Sequence, residues 1–365
     1  MQLAYRPEEI LREHDYARRH EEAGRRLHGG FDADGAYVSP RTAVRWDAVR
    51  AWTATLEARG ETLLAADRSL LVAGSYPTYE QMKLLLANGL GRALWNSLTI
   101  TGEVEGRGRF LVDFVPPDFA DVVVEDVSER AVGHLGRGLL VAHGLDEGGD
   151  AKAGVGGHDA MWFAVRDLLF GADAYPTPTA PPRIGRPEAG RLAPCLPEAH
   201  ERLLLLLMNV LMVEVRAEKL FDFTERLLRD PEVFADARDR AERGLALVRR
   251  IRADEAIHVA YLRVVLSELR GLSFRNGAGA PIPGHEILDP IWEGLVRWHG
   301  HELPRQSRAQ ARKNLRGYVR EHPDPEVGEA VLAEFDALEP PPVGADDGAL
   351  AAAPRVERDA RAAGA

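Results

Sequence analysis

Arg252-Ala253-Asp254-Glu255-Ala256-Ile257-His258-Val259-Ala260-Tyr261-Leu262 is the most informative stretch of this chain. Glu255 and His258 are three residues apart, so on a helix both project from one face and converge on one metal ion. A carboxylate beside an imidazole suits iron or manganese. Ile251, Ile257, Val259, Tyr261 and Leu262 surround the pair with apolar character. Two residues on a merely wet helix face would not have such neighbours. Asp254 faces an adjacent direction, where an aspartate hydrogen-bonds a metal-ligating histidine of another helix and fixes its tautomer.

Upstream, Glu214 closes the apolar run Leu203 to Val213. A carboxylate in such surroundings costs several kcal/mol unless it is paired or bound to a metal. Glu218 lies one turn later on the same face. Each is a candidate ligand, and Arg216 or Arg252 is the alternative partner in a structural salt bridge. The opposing half carries Ala142-His143-Gly144-Leu145-Asp146-Glu147 and Gly156-Gly157-His158-Asp159-Ala160-Met161-Trp162-Phe163. His143 and Glu147 share a face, and an antiparallel turn brings His158 towards them. Asp159 either orients an imidazole or caps the helix beginning at His158. Glu129 and His134 are lesser candidates. His299 and His301 read as an exposed helix end, and Asp32-Ala33-Asp34-Gly35 as a turn without the closing acid of a calcium loop. Leu207, Leu211, Trp162 and Phe221 suit an apolar substrate pocket or plain core.

These motifs fall on a mainly helical pattern. Residues 1–116 read as an extension with helices near Pro7 to Leu27, Ser39 to Arg59 and Tyr79 to Leu86, and a hairpin over Ser97 to Val115, supplying walls rather than chemistry. Residues 117–271 read as four long helices, about Asp118 to Asp146, His158 to Phe170, Glu198 to Arg229 and Val233 to Arg270, the last with a break near Gly244. The Pro-rich crossover 172–197 joins the two pairs. One long crossover between two helical pairs is the layout of a ferritin-like four-helix bundle. Residues 272–338 form a C-terminal helical segment, and 339–365, rich in Pro, Ala and charge, a disordered tail.

A formal net charge of −11 argues against a nucleic-acid-binding surface. The single cysteine, Cys195, leaves no intrachain disulfide, Cys-based zinc site or Cys-ligated iron–sulfur cluster. The charged start and the lack of an apolar run of about 20 residues point away from secretion and membrane spanning, and towards the cytoplasm.

Glu214, the Asp254-Glu255-Ala256-Ile257-His258 segment and the long crossover resemble the ferritin-like dimetal-carboxylate oxidases and oxygenases, which include ribonucleotide reductase small subunits and arylamine N-oxygenases. The chain is also similar, more faintly, to the alkyl-chlorinating dimetal enzymes of the cylindrocyclophane type. The Glu-x-x-His expected in the first half is missing. The resemblance implies two iron ions, or manganese or a mixed manganese–iron pair, held by Glu214, Glu255 and His258 on one side and His143, Glu147 and His158 on the other. It implies oxidation by dioxygen of an apolar small-molecule or carrier-bound substrate in secondary metabolism, with an unassigned electron donor and a homodimeric state. Halogenation or desaturation of an alkyl chain at the same site is one alternative, and a non-catalytic metal-binding or structural bundle is another.

Overall fold

The computed structural model describes residues 3–71, 74–183, 185–277 and 279–339. In chain order these form α1 (Pro7–Ile10), β1 (Arg18–Glu22), β2 (Arg25–Phe31), β3 (Tyr37–Val38), α2 (Thr42–Ala58), α3 (Tyr79–Ala87), α4 (Arg92–Arg107), α5 (Leu139–Gly148), α6 (His158–Leu169), α7 (Glu198–Arg229) and α8 (Arg238–Gly271). They continue with β4 (Ser273–Phe274), β5 (Ile282–Pro283), α9 (Gly284–Arg297), α10 (Leu303–Arg320) and α11 (Pro325–Ala337), a π-helical turn at Trp298–Glu302 joining α9 to α10. The fold is mainly helical. Among the described residues no helix is long and apolar enough to cross a membrane.

Helices α6 to α8 lie close to where hydrophobic periodicity predicts them, and α8 runs unbroken through Gly244. The N-terminal half differs. The helix expected over Pro7 to Leu27 is a short α1 followed by a β1–β2 hairpin, turned at Ala23 and Gly24 with φ of 47° and 74°. Two successive left-handed residues form the turn that matches strand twist. The hairpin expected over Ser97 to Val115 is instead α4 and a 3-10 turn, Gly108–Val112. Leu94, Trp95, Leu98, Thr99 and Gly102 form one buried helical stripe against α6, so tertiary packing overrides the β propensity of the Thr and Val residues. The long helix expected over Asp118 to Asp146 does not form. Two 3-10 turns occupy its first part, and Gly138, at φ 134°, separates them from the ten-residue α5. The described residues of the Pro-rich 172–197 stretch contain no helix or strand. Apart from Glu339, the tail after residue 338 lies outside the described residues.

Helix α4 packs on α6, α6 on α8, and α8 along α7. Two apolar clusters fill the interior. One gathers Leu203 to Val215 of α7 with Tyr261 to Leu269 of α8, and the other joins Leu94 and Leu98 of α4, Trp162 and Val165 of α6, Phe221 of α7, and Val248 and Ile251 of α8. Between Ile251 and Tyr261 on α8 lie Asp254, Glu255 and His258, a buried polar layer where one apolar half of the core gives way to the other.

Candidate metal centre

Glycines bring α4 to this layer. A Cβ on Gly102 would stand 2.7 Å from the Phe163 ring, one on Gly106 3.3 Å from Asp159, and one on Gly108 2.6 Å from Glu147 Cγ. On the facing helix, Gly144 makes a similarly close approach to Val112. The glycine spacing lets α4 and the turn after it lie against α5 and α6 at a separation larger side chains would prevent, and that delivers Glu105 beside Glu147.

Ligand atoms of His143, Glu147, Glu214 and His258 lie within 4.8 Å of one another, and so do those of Glu105, Glu147, His158 and Glu255. Glu147 belongs to both groups. Its Oε1 lies 3.5 Å from His143 Nε2, 3.4 Å from His158 Nδ1 and 3.3 Å from His258 Nδ1. Glu214 Oε1 is 3.3 Å from His143 Nε2. Glu255 reaches His158 Nδ1 with Oε1 at 2.8 Å and His258 Nδ1 with Oε2 at 2.7 Å. Despite this proximity, Glu147 Oε1, His158 Nδ1 and Glu255 Oε1 make no hydrogen bond among the described residues. Buried polar atoms without partners are costly. Here they converge at angles unsuited to bonding each other, as donor atoms around a cation do. The His143 and His258 rings stack with centroids 3.8 Å apart.

Each imidazole has an outer partner. His158 Nε2 lies 3.3 Å from Asp254 Oδ2, His258 Nε2 3.2 Å from Asp146 Oδ2, and His143 Nδ1 2.8 Å from the Tyr261 hydroxyl. With these outer nitrogens engaged, the inner ones are directed at the carboxylates. The aspartates are themselves held by the N-terminal segment. The Tyr37 hydroxyl donates to Asp254 Oδ2 at 2.9 Å, and His28 Nε2 lies 2.8 Å from the same oxygen. Arg41 and Arg45 both bond Asp146, Arg45 at 2.7 Å.

The electrostatics are those of a crowded set of carboxylates sharing protons. Burial, then the charges of Glu255 and Glu147, push Glu214 up to about 8 against the pull of His143. Burial and Glu147 likewise raise Glu105 well above the carboxylate range. Glu147 itself is held well below that range, because the Glu105 proton and the three imidazoles outweigh burial. Burial and Glu147 oppose charge on Glu255, but His158 and His258 bring it down to about 2. Burial and His258 act against charge on His143, yet Tyr261 with the Glu147 and Glu214 carboxylates pushes it up to about 10. Four carboxylates across the two groups match the charge of two divalent cations.

Of the residues expected as ligands, His143, Glu147, His158, Glu214, Glu255 and His258 come together, and Asp254 stands behind His158 as its sequence position implied. Glu218 does not join them. Its carboxylate pairs with Arg252 at 2.7 Å, and Arg252 also reaches Asp222 and Glu225, forming the salt-bridge alternative on the α7–α8 surface. Asp159 accepts from the Ala160 and Gly157 backbone N–H groups, a capping arrangement, and bonds no imidazole among the described residues. Trp162 stacks on Phe221 with centroids 5.8 Å apart, and with Leu207 and Leu211 they are close-packed core. His134 bonds backbone oxygens of Arg130 and Tyr5, and His299 is buried beside Trp298 rather than exposed.

Glu105, Asp146, His28, Tyr37, Arg41 and Arg45 were not singled out by motif. Asp146-Glu147 repeats the dipeptide Asp254-Glu255, a signal for Asp146 that was present in the sequence. No comparable signal marks Glu105, set in a glycine-rich stretch. No known protein family, curated protein or solved structure matches the chain, so the reading of the centre rests on its own side chains.

Proposed function

We propose that the chain is a dimetal-carboxylate oxidoreductase of ferritin-like architecture, with α4, α6, α7 and α8 as its bundle and α5 as an inserted piece carrying His143 and Glu147. One observation carries the reading: two four-donor groups, buried except for the half-buried Glu105, that share Glu147. A shared carboxylate between two such groups fits two adjacent ions better than one. The unsatisfied Glu147, His158 and Glu255 atoms and the match of charge support the fit.

His143, Glu214 and His258 would hold one ion, Glu105, His158 and Glu255 the other, and Glu147 both. Bound there, two ferrous ions supply the electrons for reducing dioxygen and the oxidising power for attack on a substrate C–H or N–H bond. The protein's own contribution is positional. The apolar clusters on either side exclude water, Asp254, Asp146 and Tyr261 orient the three histidines, and Arg41 and Arg45 at the start of α2 keep Asp146 ionised. Glu105 is the one donor that is not fully buried, so the substrate, an apolar small molecule or a carrier-bound chain, approaches over α4.

Anaerobic loading with ferrous iron followed by metal analysis and optical spectroscopy on mixing with oxygen tests the proposal. The expected result is two irons per chain and an oxygen-dependent transient, both lost in Glu147→Gln. Protein that binds no iron, with Glu147→Gln indistinguishable from wild type, refutes it. Product analysis with and without chloride then separates oxygenation from halogenation.

A further inference from the structure

The two outer aspartates are gripped by different chemistry. Asp146 lies between two guanidinium groups, Arg41 and Arg45, which neutralise its charge. Asp254 meets a phenol and an imidazole instead: the Tyr37 hydroxyl and His28 both reach its Oδ2, leaving Oδ1 without a hydrogen bond among the described residues. His28 sits on β2 at 3 % exposure, its ring edge-on to His158 with centroids 5.0 Å apart. The donor sets differ in the same sense. The His158 group has three carboxylates and one imidazole, the His143 group two of each.

We propose that the N-terminal segment makes the two metal positions inequivalent, with His28 and Tyr37 acting as positioning residues that fix Asp254 and, through it, His158. This rests on the dimetal reading above. With no guanidinium on it among the described residues, only the Tyr37 hydroxyl and the His28 ring, Asp254 leaves more of its charge on the His158 N–H than Asp146 leaves on His258, which makes His158 the more basic ligand. Asp146, already neutralised by two arginines, lends less to His258. The oxygen-rich position with His158 is therefore the one whose affinity depends on the hairpin, while the position with His143 and His258 depends on α2.

Titration of the full-length, metal-free chain with Co(II), followed by its visible absorption, reads both positions without turnover. Wild type is expected to fill in two resolvable steps, one of which is absent from His158→Ala. Tyr37→Phe removes only the hydroxyl and keeps the ring against His20 and Phe31. It should weaken that same step, by less than the about 10- to 100-fold that loss of the Asp254–His158 contact itself would cost, with the other step unmoved. His28→Gln should act on the same step. Equal weakening of both steps, or no change in either while two Co(II) still bind, overturns the proposal. Wild type that binds fewer than two Co(II) overturns the dimetal reading itself, and this proposal with it.

Discussion

Gly108→Ala sets local propensity against tertiary contact. Gly108 lies at the junction of α4 and its 3-10 turn with φ −56° and ψ −22°, a backbone alanine adopts freely. By propensity alone the change should stabilise the chain by up to about 1 kcal/mol. The added Cβ, however, would fall 2.6 Å from Glu147 Cγ and 2.7 Å from Glu147 Cβ. Carbon atoms rest at about 3.5–4.0 Å, so α4 and α5 must part by about 1 Å. These are stem atoms of a buried side chain and cannot swing aside. Overpacking of this kind costs about 1–3 kcal/mol. The expected net result is a loss of about 1–2 kcal/mol in urea denaturation of the metal-free protein, with weaker metal binding because Glu147 and Glu105 are pushed apart. Gly317→Ala is the control, since a Cβ there meets nothing within 4 Å and should be neutral or stabilising. If Gly108→Ala is as stabilising as Gly317→Ala and binds metal normally, the close approach that delivers Glu105 is refuted.

Three further outcomes follow from the same geometry. Glu105→Gln should lower metal occupancy, whereas Glu218→Gln, which breaks the Arg252 salt bridge, should leave it unchanged; equal effects in metal analysis would contradict the assignment. In the metal-free chain His143 has its folded pKa raised, so its contribution to stability is complete below about pH 6.5 and is lost as pH rises towards about 10. Between pH 6.5 and 8 this amounts to at most about 2 kcal/mol. Glu214, a carboxyl raised to about 8, acts in the same direction from its ordinary range upward. Metal binding displaces these protons, so affinity should climb over the same window. Urea midpoints at pH 6 and pH 8.5 that are identical without metal would contradict this. Trp162→Ala should cost about 3–5 kcal/mol in denaturation, as for a packed core tryptophan, where a pocket-lining residue would cost far less.

The centre was legible wherever its ligands lie on helices that hydrophobic periodicity can locate. Glu255 and His258 on α8 and Glu214 at the end of an apolar run were readable because a 3.6-residue repeat and the cost of burying charge are local facts. His143, Glu147 and His158 were readable as neighbours across a turn. Glu105 was not, because the Thr, Val and Gly residues around it match a hairpin by propensity, and only the surface of α6 makes them a helix. The arginines and Tyr37 of the N-terminal segment were equally hidden, since nothing near them in sequence is chemically unusual.

The sequence by itself determined that the fold is mainly helical, that carboxylates and imidazoles would be buried together, and that two helices of the second half, α7 and α8, present Glu214, Glu255 and His258. Tertiary structure alone decided that the donors divide into two groups around Glu147, that Glu218 turns away to Arg252, and that residues 28–45 reach back to hold Asp146 and Asp254. Spacing along one helix is local geometry, written in the order of residues. The approach of α4 to Phe163 and Glu147 through its glycines, and of the N-terminal segment to Asp146 and Asp254 more than 100 positions away, depends on contacts between separate segments, which no local pattern encodes.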